Sequence, residues 1–371
     1  MTYTPHFNIT SKILEHVGSI SAAKEIIDNA PLIPAWERRF RMDARARIIH
    51  HGTHLEGNNL NLDEVESVLS APKDPGVESI INLKAPKLPA RDRDIQEVIN
   101  YRAVMDYIDS LETKQSELGG TLPLTEGMLK EIHTLTVARL LPTLEAGQYR
   151  RVKVVIRNTT TGEITFRPPA PVEVPQAMYG FFEWLNSPGG RSVHPLLRAG
   201  ILHYELVRIH PFTDGNGRTA RAMALLLLFL EGYKVKKFFS LEDYYDTHPG
   251  EYYQALKSVE ARDGDLTDWL EYFILGIAIE FNRVKVLVQK LSLDLKLKNT
   301  FGGKQIALSD RQIRLVEYLE RHGTLTMGEG RDLLPDVSDD TVLRDLRDLV
   351  EKKLLVKKGN TKGSKYYLSN K

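Results

Sequence analysis

Twelve consecutive residues hold most of the chemistry this sequence can offer: His210-Pro211-Phe212-Thr213-Asp214-Gly215-Asn216-Gly217-Arg218-Thr219-Ala220-Arg221. Gly215-Asn216-Gly217 can turn successive backbone N–H groups into one concave nest. An apolar helical pattern, Ala222 to Leu230, starts from the same place. The helix therefore points its free N–H groups and positive dipole end at the nest. Arg218 and Arg221 lie three apart and share one face of the first turn. Together these groups describe a site for a polyphosphate. Asp214, just before the nest, can hold Mg²⁺ that bridges phosphate oxygens. His210, closing the preceding helical pattern, is the one neighbouring group that exchanges a proton near pH 7.

Taken singly, each feature has an ordinary structural reading: a core histidine, a turn, a solvated helix face. Gly215-x-Gly217-x-x-Ala220 also fits a dinucleotide-binding fingerprint on paper, but that motif needs a strand before the glycines. Ile201 to Ile209 reads as helix, which excludes it. Gly359-Asn-Thr-Lys-Gly363-Ser-Lys has the wrong order for a Walker A loop.

The elements that position the motif are mostly helical. Residues 8–70 read as helix, with an Arg- and Ala-rich stretch from Arg39 to His54 that Gly57, Asn58 and Asn59 terminate. Four prolines between 71 and 90 predict a loop, and a 3–4 spacing of apolar residues resumes from Asp92. Thr125 is the expected N-cap of a helix running to Leu140. The period then changes: Tyr149–Ile156 and Glu163–Arg167 flank Asn158-Thr-Thr-Thr-Gly162, which predicts a β-hairpin. Helices follow over Val174–Leu185, His194–Ile209, Asn216–Leu230, Gly250–Val259 and Leu266–Leu293. Residues 294–308 read as a linker. The last segment reads as three helices (Ser309–Glu320, Met327–Leu334, Ser338–Lys353) and two strands (Leu354–Lys358, Lys365–Leu368), the pattern of a winged helix-turn-helix.

Composition narrows the classes. The 371 residues include no cysteine, which removes disulfides, thiolate catalysis and Cys-based metal sites. No signal-like N-terminus and no apolar run of membrane-spanning length is present, so a cytoplasmic protein with no membrane partner is expected. The net charge of +1 is an average: residues 352–371 carry seven lysines and no acid, leaving −6 on the rest. That basic end is the one segment whose net charge makes an anionic partner credible.

The stretch 210–221 resembles the signature of the Fic (filamentation induced by cAMP) family, H-P-F-x-D-G-N-G-R-x-x-R, at all nine fixed positions. The resemblance implies a mainly α protein: an N-terminal helical segment (1–90), a Fic-type helical bundle with a β-hairpin flap (91–293), a linker (294–308) and a winged helix-turn-helix (309–371). It implies a protein adenylyltransferase that moves AMP from Mg-ATP to a Tyr, Ser or Thr hydroxyl of a target protein. His210 would be the base and Asp214 would hold Mg²⁺. Gly215, Asn216 and Gly217 would form the anion hole, Arg218 and Arg221 would contact phosphates, and Phe212 would anchor the loop. The hairpin at about 149–167 resembles the flap on which the target docks by strand addition.

Thr53-His-Leu-Glu56-Gly57 resembles the family's inhibitory motif, [S/T]-x-x-x-E-[G/N], in which the Glu pairs with the second motif arginine, here Arg221. Gly52 stands where the motif has Ser or Thr. A variant reading has Glu56 orienting water for AMP removal. Tyr252 is expected as a wall of the adenine pocket or as core packing. Other readings are transfer of UMP, phosphate or phosphocholine, and a DNA-binding regulator that uses the Fic domain as a nucleotide sensor. The winged helix is expected to meet DNA, a protein or a second copy in a homodimer.

Overall fold

The computed structural model describes residues 3–30, 32, 34–71, 90–157, 164–300, 308–359 and 364–369. Most of the loop expected at 71–90, the tip of the hairpin and most of the linker lie outside the described residues. The chain divides into two compact units, residues 1–29 with 33–286, and residues 30–32 with 287–371.

The first unit is built from α1 (Ser11–Asn29), α2 (Pro34–His54), α3 (Leu62–Ser70), α4 (Ala90–Leu118), α5 (Glu126–Thr136), the strands β1 (Ile156–Arg157) and β2 (Ile164–Phe166), α6 (Val174–Asn186), α7 (Pro188–Ser192), α8 (Pro195–Ile209), α9 (Asn216–Leu230), α10 (Leu241–Thr247), α11 (Pro249–Ala261) and the part of α12 (Thr267–Thr300) up to Val286. The mainly α architecture expected from periodicity is the one observed. At its centre lies α9, buried on all sides: every residue from Arg218 to Leu230 is buried. It packs along α8 and against α4, α5 and α2. Such a helix leaves only its ends for function, and its N-terminus carries the motif.

Ion pairs hold α2 to its neighbours. Arg45 bridges Asp106 and Asp109 of α4 at 2.6 and 3.1 Å, and Arg47 reaches Asp243 of α10 at 3.0 Å. The Arg- and Ala-rich composition thus follows from packing small side chains inward and guanidinium groups across to two helices. Thr125 caps α5 as expected, its Oγ1 accepting from Met128 N at 3.2 Å.

The hairpin pairs Ile156 with Phe166 and Arg157 with Ile164, antiparallel. Its first strand is much shorter than the Tyr149–Ile156 run predicts. The reason is a competing partner: Arg150 N–H donates to Pro211 O at 2.9 Å, so this segment is tied to the motif loop rather than to a strand. Helix α12 runs to Thr300, past the expected boundary at 293. Between Leu293 and Thr300 the sequence holds no glycine or proline to stop it.

The second unit holds α13 (Asp310–His322), β3 (Leu325–Thr326), α14 (Met327–Leu333), α15 (Asp339–Glu351), β4 (Leu355–Lys358) and β5 (Lys365–Leu368). The strands form an antiparallel sheet in the order β3-β5-β4. Leu315, Leu319, Leu325, Val342, Leu346, Leu349 and Tyr366 make its core. This is the expected winged helix-turn-helix, with β3 as an addition too short to show alternation.

Truncating the central helix tests its role as the structural axis. Leu226→Ala, at a fully buried position of α9, is expected to lower the unfolding free energy by about 2–5 kcal/mol. Chemical denaturation measures this, and a loss below about 1 kcal/mol would contradict the packing described.

Candidate active site

The site is built where α8 hands over to α9. His210 closes α8 in a left-handed conformation (φ 51°, ψ 60°), its N–H still donating to Leu206 O at 3.0 Å. That conformation is unfavourable for a residue with a Cβ. It takes the chain sharply off the helix axis into the motif loop. The His210 Nδ1 lies 3.2 Å from Val207 O, so Nδ1–H donates and Nε2 keeps the lone pair. Burial holds the imidazole pKa below its ordinary value, and the Arg150 charge lowers it further. The Val207 carbonyl and the carboxylates of Glu56 and Asp214 oppose this. The arrangement keeps a neutral ring with one basic nitrogen at neutral pH.

Two devices fix the loop. Asn216 accepts from Phe212 N through Oδ1 and donates to Phe212 O through Nδ2, both at 2.9 Å. Its side chain is therefore committed to closing the loop. Phe212 is buried and stacks on the ring of His133, with centroids 3.7 Å apart and planes 4° from parallel. His133, on α5, is within 3.0 Å of Asp214 O through Nε2, and its Nδ1 accepts from Gly147 N–H at 2.9 Å. Only the neutral ring with Nε2 protonated makes both bonds. Burial pushes the His133 pKa down to about 4.

At the head of α9, Gly215 takes φ 75° and places the first helical amides. A methyl on Gly217 would collide with Glu56 Oε1 and sit 3.2 Å from Arg221 Nη1. The Glu56 carboxylate therefore rests against the backbone at the helix head, where amides and dipole favour an anion. Arg221, only 2% exposed, donates through Nη2 to Glu56 Oε1 at 2.9 Å and to Gly52 O at 2.8 Å. Despite the cost of burial, Glu56 holds the guanidinium firmly in its charged form.

Glu56 is presented by the end of α2. Asn58 N–H donates to Thr53 O and Gly57 N–H to His54 O, with Gly57 at φ 93°. This is the glycine-terminated Schellman closure, and Glu56 is its last residue before the left-handed turn. The departure at position 52 has a steric cause. A Cβ on Gly52 would lie 2.7 Å from Tyr101 Cε1. The bare backbone lets its carbonyl reach Arg221, while Thr53 Oγ1 is buried and bonds back to Ile49 O at 2.9 Å. His51 and His54 each reach Asp246 of α10 at 2.8 Å and tether the same turn.

The first arginine has its own acid. Arg218 Nη1 is 3.4 Å from Glu97 Oε1, and Asn58 Nδ2 donates to Glu97 Oε2 at 3.0 Å. Asp214 has a side chain 43% exposed; one oxygen accepts from Gly215 N–H at 2.6 Å and the other lies 3.3 Å from Arg93. Among the described residues no group of three or more His, Asp or Glu comes together as a metal cage. A single half-exposed carboxylate fits a Mg²⁺ that keeps phosphate and water oxygens as its other ligands.

The structure brings His210, Asp214, Gly215, Asn216, Gly217, Arg218, Arg221 and Glu56 to one place. Tyr252 stands behind them, buried, its hydroxyl 2.8 Å from His203 Nε2 and its ring against Tyr245. Its side chain packs in the core close to Arg221; the next residue, Tyr253, is exposed on the side of the Glu56 turn. Sequence reasoning missed His133, Glu97 and Arg150. The one available signal was a polar residue falling on the buried face of a helix, as His133 does beside Leu129 and Ile132.

The Fic/DOC family matches residues 123–228, from the approach to α5 through most of α9. The chain carries a Fic domain. A DeoR-like helix-turn-helix domain matches residues 311–361. The chain is similar to the protein adenylyltransferase Fic of Culex quinquefasciatus (27% identical over 271 residues, 71% of this chain and 47% of that protein). It is also similar to that of Nematostella vectensis (30% over 211 residues, 56% and 44%). It thus spans less than half the length of these curated relatives. Among solved structures, a Fic family protein from Desulfovibrio desulfuricans shares the fold with a TM-score of 0.61 at 23% identity, covering 100% of this chain and 99% of that one. Fic-1 from C. elegans gives 0.53 at 24%, covering 76% and 73%. Glu56 and its turn lie N-terminal to the matched Fic span, so the Arg221 pair joins the Fic domain to the helices that precede it.

Two buried neutral histidines give the Fic domain an acid-sensitive interior. The pKa values of His133 and His203 fall from 6.5 to about 4 and about 3 through burial. Below pH 6.5 the unfolded chain binds protons that the native one refuses, so stability falls from pH 7 towards pH 4. His133→Asn is expected to melt lower at pH 7 but to lose less on acidification. Melting curves across that range would show a parallel decline instead if His133 were not involved.

Proposed function

We propose that the chain is a protein adenylyltransferase of the Fic type, held in check by Glu56. The observation that carries the reading is the Glu56–Arg221 pair: a carboxylate seated on the anion-binding head of α9 and bonded to the arginine suited to a terminal phosphate. Charge-assisted bonds to carboxylate and phosphate use the same donors, so the two compete. ATP bound while Glu56 is seated lacks Arg221 for its γ-phosphate.

With Glu56 displaced, Arg221 and Arg218 neutralise the β- and γ-phosphates, and the amides of Asn216 and Gly217 face the developing charge. His210 Nε2 takes the proton of a Tyr, Ser or Thr hydroxyl as its oxygen forms the bond to the α-phosphorus. The bond to the bridging oxygen breaks and pyrophosphate leaves. Asp214 would hold Mg²⁺, which screens the phosphate charge. The strand pair at Ile156–Arg157 and Ile164–Phe166 offers an edge on which an extended target segment can align. Tyr253, exposed near the Glu56 turn, is a better candidate than Tyr252 for a face of the nucleotide site.

Glu56→Gly is expected to raise transfer of label from ATP to protein by roughly tenfold or more, equivalent to about 1.4 kcal/mol of released restraint. His210→Ala in that background should abolish it, and the added mass should be that of AMP. ATP should also raise the melting temperature of Glu56→Gly more than that of the parent, because it restores an anion beside Arg221. No rise in transfer with Glu56→Gly would remove the inhibitory reading; another added mass would change the transferred group.

The DeoR-like domain favours DNA as a second partner. Lys357, Lys358 and Lys365 are exposed on β4 and β5, whereas the exposed face of α15 mixes Arg344 and Arg347 with Asp339 and Asp340. Phosphate contact through the wing fits this pattern better than base readout. Retention of duplex DNA that weakens steeply with salt and with Lys357→Ala/Lys358→Ala supports it. Retention that ignores both the salt and the lysines would count against it.

A further inference from the structure

Arg150 lies between the hairpin and the motif, and nothing in the phosphate chemistry above uses it. It is 3% exposed. Its Nε donates to His210 O at 2.7 Å and its Nη2 to Pro169 O at 2.6 Å and Ile209 O at 3.4 Å. Its Nη1 donates to Val152 O at 3.1 Å, and its own main-chain N–H to Pro211 O at 2.9 Å. Every acceptor it meets among the described residues is a main-chain carbonyl. A buried guanidinium spent on carbonyls is a costly way to fill space. Its planar fork can, however, bind several acceptors at fixed angles, which lysine cannot.

The acceptors fall into two groups. Ile209 and His210 supply the last carbonyls at the C-terminus of α8, the end that lacks partners and attracts a cation. Val152 precedes β1 and Pro169 follows β2, so these two carbonyls mark the two legs of the hairpin. We propose that Arg150 is a positioning residue for hydroxyl transfer: one guanidinium locks the left-handed backbone of His210 to both legs of the hairpin, fixing the base relative to the strand edge that receives the target. This rests on the transferase reading. Arg150 touches neither nucleotide-binding arginine nor the α9 amides in these contacts, so it serves the acceptor side alone. Its charge also disfavours a second proton on His210, against the carboxylates of Glu56 and Asp214, which favour one.

The test uses the full chain carrying Glu56→Gly, with Arg150→Lys or Arg150→Gln added, and labelled Mg-ATP. The acceptor is full-length chain carrying His210→Ala, titrated. Both variants are expected to bind Mg-ATP within twofold of the parent by calorimetry and to lose roughly a hundredfold in kcat/KM for the acceptor. The acid limb of the rate should move to higher pH in Arg150→Gln but not in Arg150→Lys, which keeps the charge. Transfer within threefold of the parent, or an equal loss of Mg-ATP affinity, would overturn the proposal. If Glu56→Gly alone transfers nothing, the transferase reading has failed, and native-state hydrogen exchange still judges the lock. Should both variants fail to fold, the same exchange on the unaltered chain decides. The amides of 150–157, 164–167 and 209–212 should open with one free energy under graded denaturant; separate openings would sink it.

Discussion

One ion pair, between the buried guanidinium of Arg221 and the carboxylate of Glu56, governs this molecule. Arg221 sits one turn into a helix buried on every side. Removing its partner would leave an uncompensated charge, a change that typically costs 3–5 kcal/mol. Glu56 fills that need from a helix far away in sequence, its side chain 32% exposed. The pair therefore joins a deeply buried cation to a partner that water can still reach. Such a carboxylate can be exchanged for another anion without unfolding the site, whereas a fully buried one would be trapped.

The backbone around the pair explains why so small a motif suffices. Glu56 must stand at the last position before a left-handed turn, and Gly57 provides that turn without strain. Gly217 must lack a side chain, or the carboxylate cannot reach the helix head. Gly52 must lack one because Tyr101 occupies the space, and its carbonyl accepts from Arg221. A serine or threonine at this position would force Tyr101 to move.

The motif from His210 to Arg221 was legible because its parts are neighbours in sequence, and local geometry follows from local composition. Glu56 was legible only through family resemblance, since nothing in composition pairs a helix-end glutamate with an arginine so far along the chain. Arg150 was not legible at all, and His133 only as a polar residue on the buried face of a helix. Both act on main-chain carbonyls or amides, which every residue carries, so their partners leave no mark in the sequence. The same cause shortened the first strand of the hairpin: its β-favouring residues were outbid by bonds to the motif loop. α12 runs past 293 because the alternating Leu and Lys there, although they imitate a change of rhythm, include no glycine or proline to break the helix. In the winged domain two helices begin at side-chain caps, Ser309 and Thr326; Ser338, at the head of α15, makes no such bond.

The neutral and charged parts of the site divide their work. Asn216 and His133 are neutral and fix the loop without changing its charge balance against a ligand; Arg150 fixes it through carbonyls and adds one positive charge. Glu56, Glu97 and Asp214 oppose Arg218, Arg221 and Arg93, so the ionic part is close to balanced. An entering polyphosphate thus finds a rigid cradle whose cations are already engaged. Its affinity is set by a difference between two sets of charge-assisted bonds rather than by their sum. Under the proposed inhibitory reading, regulation would need no movement of the motif loop. It would need only that the end of α2, tethered through His51, His54 and Asn58, give up one carboxylate position.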